Sequence, residues 1–197
     1  MRYDAEHKQK TYQKVLQAAA KAIRAEGPHR VGVAGVMAEA GLTHGGFYAH
    51  FASKEDLVAA AIGHMFEEAR ERLLHETQDR GPREALSRYI DFYLSAKHRD
   101  ARTTGCPIAA LASDLPRISE PAREQFAAGA RRLTDALAQL LEQAGHASAS
   151  EEARSMLAEL LGALSLARVE PERNRSDAIL ADSKRALKRR LKLEIES

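Results

Sequence analysis

The chain of 197 residues has one cysteine, no tryptophan and only 5% aromatic residues. The single Cys106 excludes an intramolecular disulfide framework and fits a reducing compartment. Few aromatics, only six prolines and an abundance of Ala and Leu argue against a β-sandwich and for helices packed through small and branched apolar side chains. No apolar run approaches the roughly 18 residues needed to cross a bilayer. The amino terminus has no apolar stretch of signal-peptide type. A soluble, cytoplasmic protein with no membrane partner is expected.

Enzyme signatures are missing as well. There is no phosphate-binding glycine loop ending in Lys-Ser/Thr, no nucleophile elbow and no cysteine pair. The histidines (His7, His29, His44, His50, His64, His75, His98 and His146) never fall three or four apart, so no helix offers a ready-made metal pair. No catalysis, metal or cofactor is expected. Net charge is only +2, too mild to announce nucleic-acid binding, but it is uneven. Between Met1 and Lys54, eight Lys or Arg stand against four Asp or Glu, leaving +4, while the remainder is slightly acidic. A basic amino-terminal unit is the electrostatic footprint that DNA selects.

The stretch from Gly41 to Leu57, GLTHGGFYAHFASKEDL, carries the most information. Gly41 can close the preceding helix in a left-handed conformation, Leu42 points inward, and Thr43 can cap the next helix. That short helix opens His44-Gly45-Gly46, at a cost of roughly 1 kcal/mol of helix propensity per glycine. Close approach of backbone to a bulky partner such as a DNA groove is one reason to accept the cost. Phe47 and Phe51, four apart, share a face that can anchor to a small core, and Tyr48 falls on another. Ser53 with Asp56 three residues on forms a capping box, and Lys54 sits in the first turn of the helix it opens.

This segment resembles the TetR family of transcriptional regulators. Ala40, Gly41, Thr43, Tyr48, Phe51, Lys54, Glu55 and Leu57 match its signature in register. The resemblance extends upstream through Val15–Ala19 and Ile23 to Gly27, covering about the first sixty residues. It implies a helix-turn-helix head in which Thr43, His44, Gly45 and Phe47 lie near base edges or adjacent phosphates, with Tyr48, His50 and Lys54 on phosphates. The chain departs from the pattern at Gly32, where a serine or threonine usually caps the second helix, and Ala34-Gly35 adds no polar side chain there.

The whole chain reads as all-α, with about nine helices: a three-helix DNA-binding head over residues 1–53 and a larger effector-binding and dimerisation domain over 54–197. The first helix is expected from about His7 to Glu26, the second from Val33 to Ala40 and the third from His44 to His50, behind Arg2, Tyr3, Lys8 and Lys10, which read first as a frayed terminus and otherwise as a basic arm. A fourth runs from Lys54 to about Gln78, and a fifth from Gly81-Pro82 to about His98. A short sixth follows Cys106-Pro107 to about Leu115, and a long seventh ends at Gly145. Ser148 with Glu151 should cap the eighth, and Asn174 or Ser176 the ninth, which reaches Leu193.

In the middle helices, Met65, Phe66, Tyr89, Phe92 and Tyr93 offer one part of a lining for a small apolar effector. Cys106, Ile108, Leu111, Phe126 and Leu133 offer the rest, although for each of these residues an ordinary helical core is the better reading. On helix eight, Met156, Leu157, Leu160, Leu161 and Leu164 are candidate dimer contacts, joined by Ile179, Leu180 and Leu187 on helix nine. The same stripes could instead complete the core of one chain.

The expected function is that of a DNA-binding regulator, a homodimeric repressor released from a double-stranded, pseudo-palindromic operator by a small apolar effector. Two alternatives stand beside it. One is a thiol switch at Cys106, at a helix N-terminus where partial positive charge favours the thiolate. The other is a helical interaction dimer that has lost DNA binding.

Overall fold

The structure, a computed structural model, describes residues 2–193, together with the side chains of all of these except residues 2–5 and Leu115. Among the described residues there are nine α-helices, two short 3₁₀ segments and no strand. The helices are α1 (Arg2–Glu26), α2 (Val33–Glu39), α3 (Lys54–Thr77), α4 (Pro82–Tyr93), α5 (Ala96–Asp100), α6 (Pro107–Leu111), α7 (Glu120–Gln143), α8 (Ala149–Val169) and α9 (Arg173–Arg190). The 3₁₀ segments are His44–Ala49 and Leu115–Arg117. No described helix is long and apolar enough to cross a membrane.

Packing divides the chain into two compact units, the first comprising 1–68 with 106–129 and the second 69–105 with 130–197. The boundary expected at 53/54 divides an expected DNA-binding part from an expected effector-binding part. Packing instead groups the head with the first half of α3, with α6 and with the start of α7. In the first unit α1 packs beside α2, with Val15, Ala19 and Ile23 buried on the one and Val36 and Met37 on the other. The α3 stripe of Leu57, Ile62, Met65 and Phe66 is buried in the same unit. The second unit is built on the α8–α9 hairpin, against which α4 packs through Leu86, Tyr89, Ile90 and Tyr93.

Local chemistry explains where the elements differ from their sequence expectations. The fifth expected helix breaks at Leu94–Ser95, because the Ser95 hydroxyl accepts from the His98 N–H at 3.1 Å and starts α5 afresh. Ser148 makes no side-chain cap, so the expected box with Glu151 is not formed. Neither Asn174 nor Ser176 caps α9. The Glu172 carboxylate does so, accepting from the N–H groups of Asn174 at 2.8 Å and Arg175 at 3.1 Å. Ser176 is instead buried and donates to the Ala167 carbonyl at 2.6 Å.

Candidate nucleic-acid interface

The head is assembled around the turn after α2. Gly41 adopts φ +73°, a region costly for any residue with a Cβ. Its N–H donates to Ala38 O at 3.0 Å while that of Leu42 donates to Met37 O at 2.9 Å, a paired closure of the helix end. The chain then enters the third element, which is a 3₁₀ segment and not the α-helix expected. Its N–H of Gly46 reaches Thr43 O and that of His50 reaches Phe47 O, bonds of i→i+3 type at 3.1 and 2.9 Å. Two consecutive glycines and only six residues give little propensity for a wider helix. Thr43 lies in extended backbone at the segment's start, and its hydroxyl makes no capping bond. Thr43 is exposed.

Phe47 is 2% exposed, stacked at 5.7 Å on Phe51, which in turn stacks at 5.1 Å on Tyr12 of α1. Its ring is therefore core, and any part of Phe47 in a DNA surface is confined to its backbone. That anchor turns its neighbours outward: Thr43, His44 and Gly45 are exposed, and Tyr48 is 73% exposed with its ring edge-on to Phe47. His50 is half-buried, its Nδ1 enclosed and without a partner. Lys54 opens α3, and its ammonium donates to the His29 carbonyl at 2.9 Å. Two of its three N–H groups remain for other acceptors. The α3 start forms as expected: Ser53 Oγ accepts from the Asp56 N–H at 3.0 Å, and Asp56 accepts from the Ala52 N–H at 3.1 Å.

Beside the turn, Lys14, Gln17 and Lys21 of α1 line a cleft of about 420 Å³ with Glu39 and Gly41. Lys21 is held by Glu39 at 2.8 Å, and this pairing pulls the Glu39 carboxyl below its ordinary range. Residues Lys8 and Lys10 of the expected arm are exposed on α1, which continues back to Arg2; the Arg2 and Tyr3 side chains lie outside those described. Tyr12 is the head residue that sequence reasoning missed. Its place three residues before Val15, on the buried stripe of α1, was the available signal.

The expected effector-lining residues are interior positions in both units. Met65, Phe66, Cys106, Ile108, Leu111 and Phe126 are buried in the first, where the Phe66 and Phe126 rings meet edge to face at 5.2 Å. Tyr89, Tyr93 and Leu133 are buried in the second, with Phe92 half-buried there and stacked on His98 at 5.1 Å. Of the expected dimer contacts, Met156, Leu157, Leu160, Leu164, Leu180 and Leu187 are buried within the single chain, leaving Leu161 and Ile179 partly exposed. Large apolar surface on α8 is carried instead by Leu166 and Val169, 59% and 76% exposed. Among the described residues, no three or more of His, Cys, Asp and Glu cluster as a metal site.

Comparison with known proteins agrees with this geometry. Residues 15–61 match the family described as bacterial regulatory proteins, tetR family, and residues 82–182 match the C-terminal domain of LmrA/YxaF-like transcriptional regulators. The HTH-type transcriptional regulator YxaF of Bacillus subtilis, itself uncharacterised, is 30% identical over 115 residues. That match takes in 56% of this chain and 59% of YxaF, so it spans less than two thirds of the relative. Among solved structures, the reduced form of E. coli NemR has a TM-score of 0.80 at 22% identity, with 91% of this chain and 96% of that one covered. A TetR-family regulator from Agrobacterium tumefaciens has a TM-score of 0.76 at 25% identity, covering 90% and 97%. The match of residues 15–61 to the tetR family and of residues 82–182 to the LmrA/YxaF-like C-terminal domain places this chain in the TetR family of transcriptional regulators.

Proposed function

We propose that the protein is a homodimeric repressor that holds a pseudo-palindromic operator and releases it when a small apolar molecule binds among the middle helices. The observation that carries the DNA half is the exposure of Thr43, His44, Gly45 and Tyr48 over the buried Phe47. Thr43 and His44 offer donors and acceptors to base edges. Gly45 lets the backbone approach a phosphate, and Tyr48 and Lys54 each offer a donor to the phosphate chain. With two glycines in the reading segment, side-chain readout is thin, and DNA shape carries part of the specificity. Buried aromatic and aliphatic residues within each compact unit support an apolar effector class, and the exposed apolar residues of α8 support a dimer.

Selection of bound sequences from a random duplex library at two salt concentrations tests this reading. A palindrome whose enrichment weakens as salt rises is expected, because phosphate neutralisation releases counterions. Tyr48→Phe and Lys54→Ala should each weaken retention on DNA at low salt. If neither does, the head is no phosphate clamp and the chain is an interaction dimer.

A second reading keeps the DNA-binding half and changes the input. Cys106 precedes Pro107 as the residue that opens α6, and the similar NemR fold was solved in a form named as reduced. The thiol is only 7% exposed, so oxidation would require the start of α6 to open. Under this reading Cys106→Ser abolishes the response of operator binding to oxidant; an unchanged response removes it.

A further inference from the structure

We propose that a compact oxyanion, with the size and charge of phosphate or of a small phosphate monoester, binds in the cleft between the start of α3 and the Leu115–Arg117 turn, and that it loosens operator binding by engaging Lys54. The regulatory part rests on the proposed role of Lys54 at the operator; the site itself does not.

The cleft lies within the first compact unit and encloses about 260 Å³. That is below the roughly 300–1,000 Å³ of pockets for drug-sized ligands, which limits the guest to a small one. Its polar lining comes from His29, Lys54, Glu55, Arg117 and Ser119. Most of these groups are left without a partner. The Arg117 guanidinium, the His29 ring and the Glu55 carboxylate make no hydrogen bond or ion pair among the described residues. Ser119 Oγ is enclosed and also unpartnered. An enclosed hydroxyl with nothing to bond costs free energy that a polar guest recovers.

The charges select the guest. Two fixed cations line the cleft from different segments, Lys54 from the start of α3 and Arg117 from the turn before α7. The guanidinium fork matches two oxygens of an oxyanion, and the ammonium supplies a point charge with two N–H groups beyond the one given to His29 O. The Ser119 hydroxyl, enclosed as it stands, can donate a further bond once it turns about χ1 into the cleft. The single opposing carboxylate, Glu55, leaves the lining net positive while disfavouring a highly charged polyanion. An ammonium that coordinates such a guest is not free to hold an operator phosphate. Oxyanion and operator therefore oppose each other, and by linkage each must weaken the other by the same factor.

Operator affinity of the full chain is measured in chloride buffer and in millimolar inorganic phosphate at equal ionic strength, with glycerol phosphate as a second arm. Phosphate should weaken binding about fivefold or more beyond the ionic-strength effect. Arg117→Ala should bind the operator like the wild type in chloride and lose that response, and Ser119→Ala should blunt it. A tighter effect of glycerol phosphate than of inorganic phosphate would assign the site to a monoester, and the reverse to the free anion. Equal affinity in the two buffers overturns the proposal. So does a full phosphate response in Arg117→Ala, which would place the competition on the DNA surface, or weaker operator binding by that variant in chloride, which would make Arg117 a DNA contact. Failure to bind any operator in either buffer overturns the repressor reading and the regulatory half with it. The site then stands or falls on calorimetric titration of inorganic phosphate, which must bind the wild-type chain and not Arg117→Ala.

Discussion

Gly129 shows how a single missing Cβ can set a packing distance. A Cβ built on it would lie 2.2 Å from Cγ of Phe66, inside the ring that also meets Phe126 edge to face. The ring is buried and has no solvent to move into, so Gly129→Ala forces the α3 side chain or the α7 backbone to shift. Overpacking of this kind costs about 1–3 kcal/mol, more than the roughly 1 kcal/mol of helix propensity that alanine returns. Gly63 is the matched control: its Cβ would meet only the Gln125 carboxamide, at 3.2 Å and at the end of an exposed, flexible side chain. Urea denaturation should show Gly129→Ala destabilised and Gly63→Ala unchanged or stabilised. Equal effects would mean that the Phe66 contact does not set the spacing. Neither outcome was legible in the sequence, where both glycines are merely helix weaknesses. Gly41 was legible, because the residues around it demand a turn. Phe47 was half legible: its spacing from Phe51 marks an anchor, and only burial removes its ring from the proposed DNA surface.

At the scale of elements, helix starts written in short-range chemistry could be read, and those set by distant partners could not. The Ser53–Asp56 cap forms from residues three apart. The short α5 starts on the local Ser95 cap, but it is held in place by groups far along the chain. The Arg99 guanidinium is 4% exposed and donates to Ser176 Oγ at 2.8 Å, to Asp177 at 2.5 Å and to Asp100 at 2.9 Å. Arg168 of α8 donates to the carbonyls of Arg99 and His98 at 3.1 and 3.3 Å, tying α5 to α8. In sequence, residues 99–105 read only as a polar loop, since nothing local reveals partners some seventy positions away. This network makes Arg99 a buried structural charge of the second unit. Arg99→Ala removes the charged hydrogen bonds and leaves a cavity, an expected loss of about 2–4 kcal/mol. Arg99→Lys keeps the charge but not the fork and should lose about half of that. Chemical denaturation measures both, and a lysine variant as stable as the wild type would reduce the network to simple charge pairing.

Across the whole molecule, the pH dependence of stability separates into two windows. His98 is buried, its Nδ1–H donating to the Tyr93 carbonyl at 2.8 Å. Burial, with the nearby charges of Arg168 and Arg72, pushes its pKa down to about 4 although the Tyr93 bond acts the other way. The unfolded chain therefore takes up this proton first as pH falls below 6.5. The folded state keeps its full advantage above that value and loses up to about 3 kcal/mol between pH 6.5 and 4. Carboxylates act lower. Asp100, held to about 2 by hydrogen bonds from Arg99 and Arg173, stabilises above the ordinary carboxylate range and stops doing so only in strong acid. Glu68 is shifted the same way, since bonds from His64 and Arg24 outweigh its burial. His98→Asn, which can still donate to Tyr93 O, should flatten the slope between pH 6.5 and 4 and leave the acid limb in place. A slope that survives this change belongs to another group.

The proposed dimer draws on a different face of α8 from the leucine stripe that the sequence offers. Heptad-like leucines on α8 and α9 suit an interface and a core alike, and burial assigns Met156, Leu160, Leu164 and Leu187 to the core of one chain. What α8 turns outward is Ala158, Gly162, Leu166 and Val169, at spacings of four, four and three residues that keep them on one face. Small residues there allow close approach of a neighbouring helix, and the two large ones supply area. In a two-fold interface each substitution is met by its own copy, so Leu166→Glu or Val169→Glu sets like charges near each other at the seam. Either change should yield a folded monomer in light scattering with an unchanged helical spectrum. Operator affinity should fall by roughly a hundredfold or more as the second half-site becomes an independent binding event. Leu164→Ala should behave oppositely, remaining dimeric while losing about 2–5 kcal/mol of stability to the cavity it opens. If the glutamate variants stay dimeric and bind the operator at full strength, the subunits meet through another face and the outward stripe of α8 is not the seam.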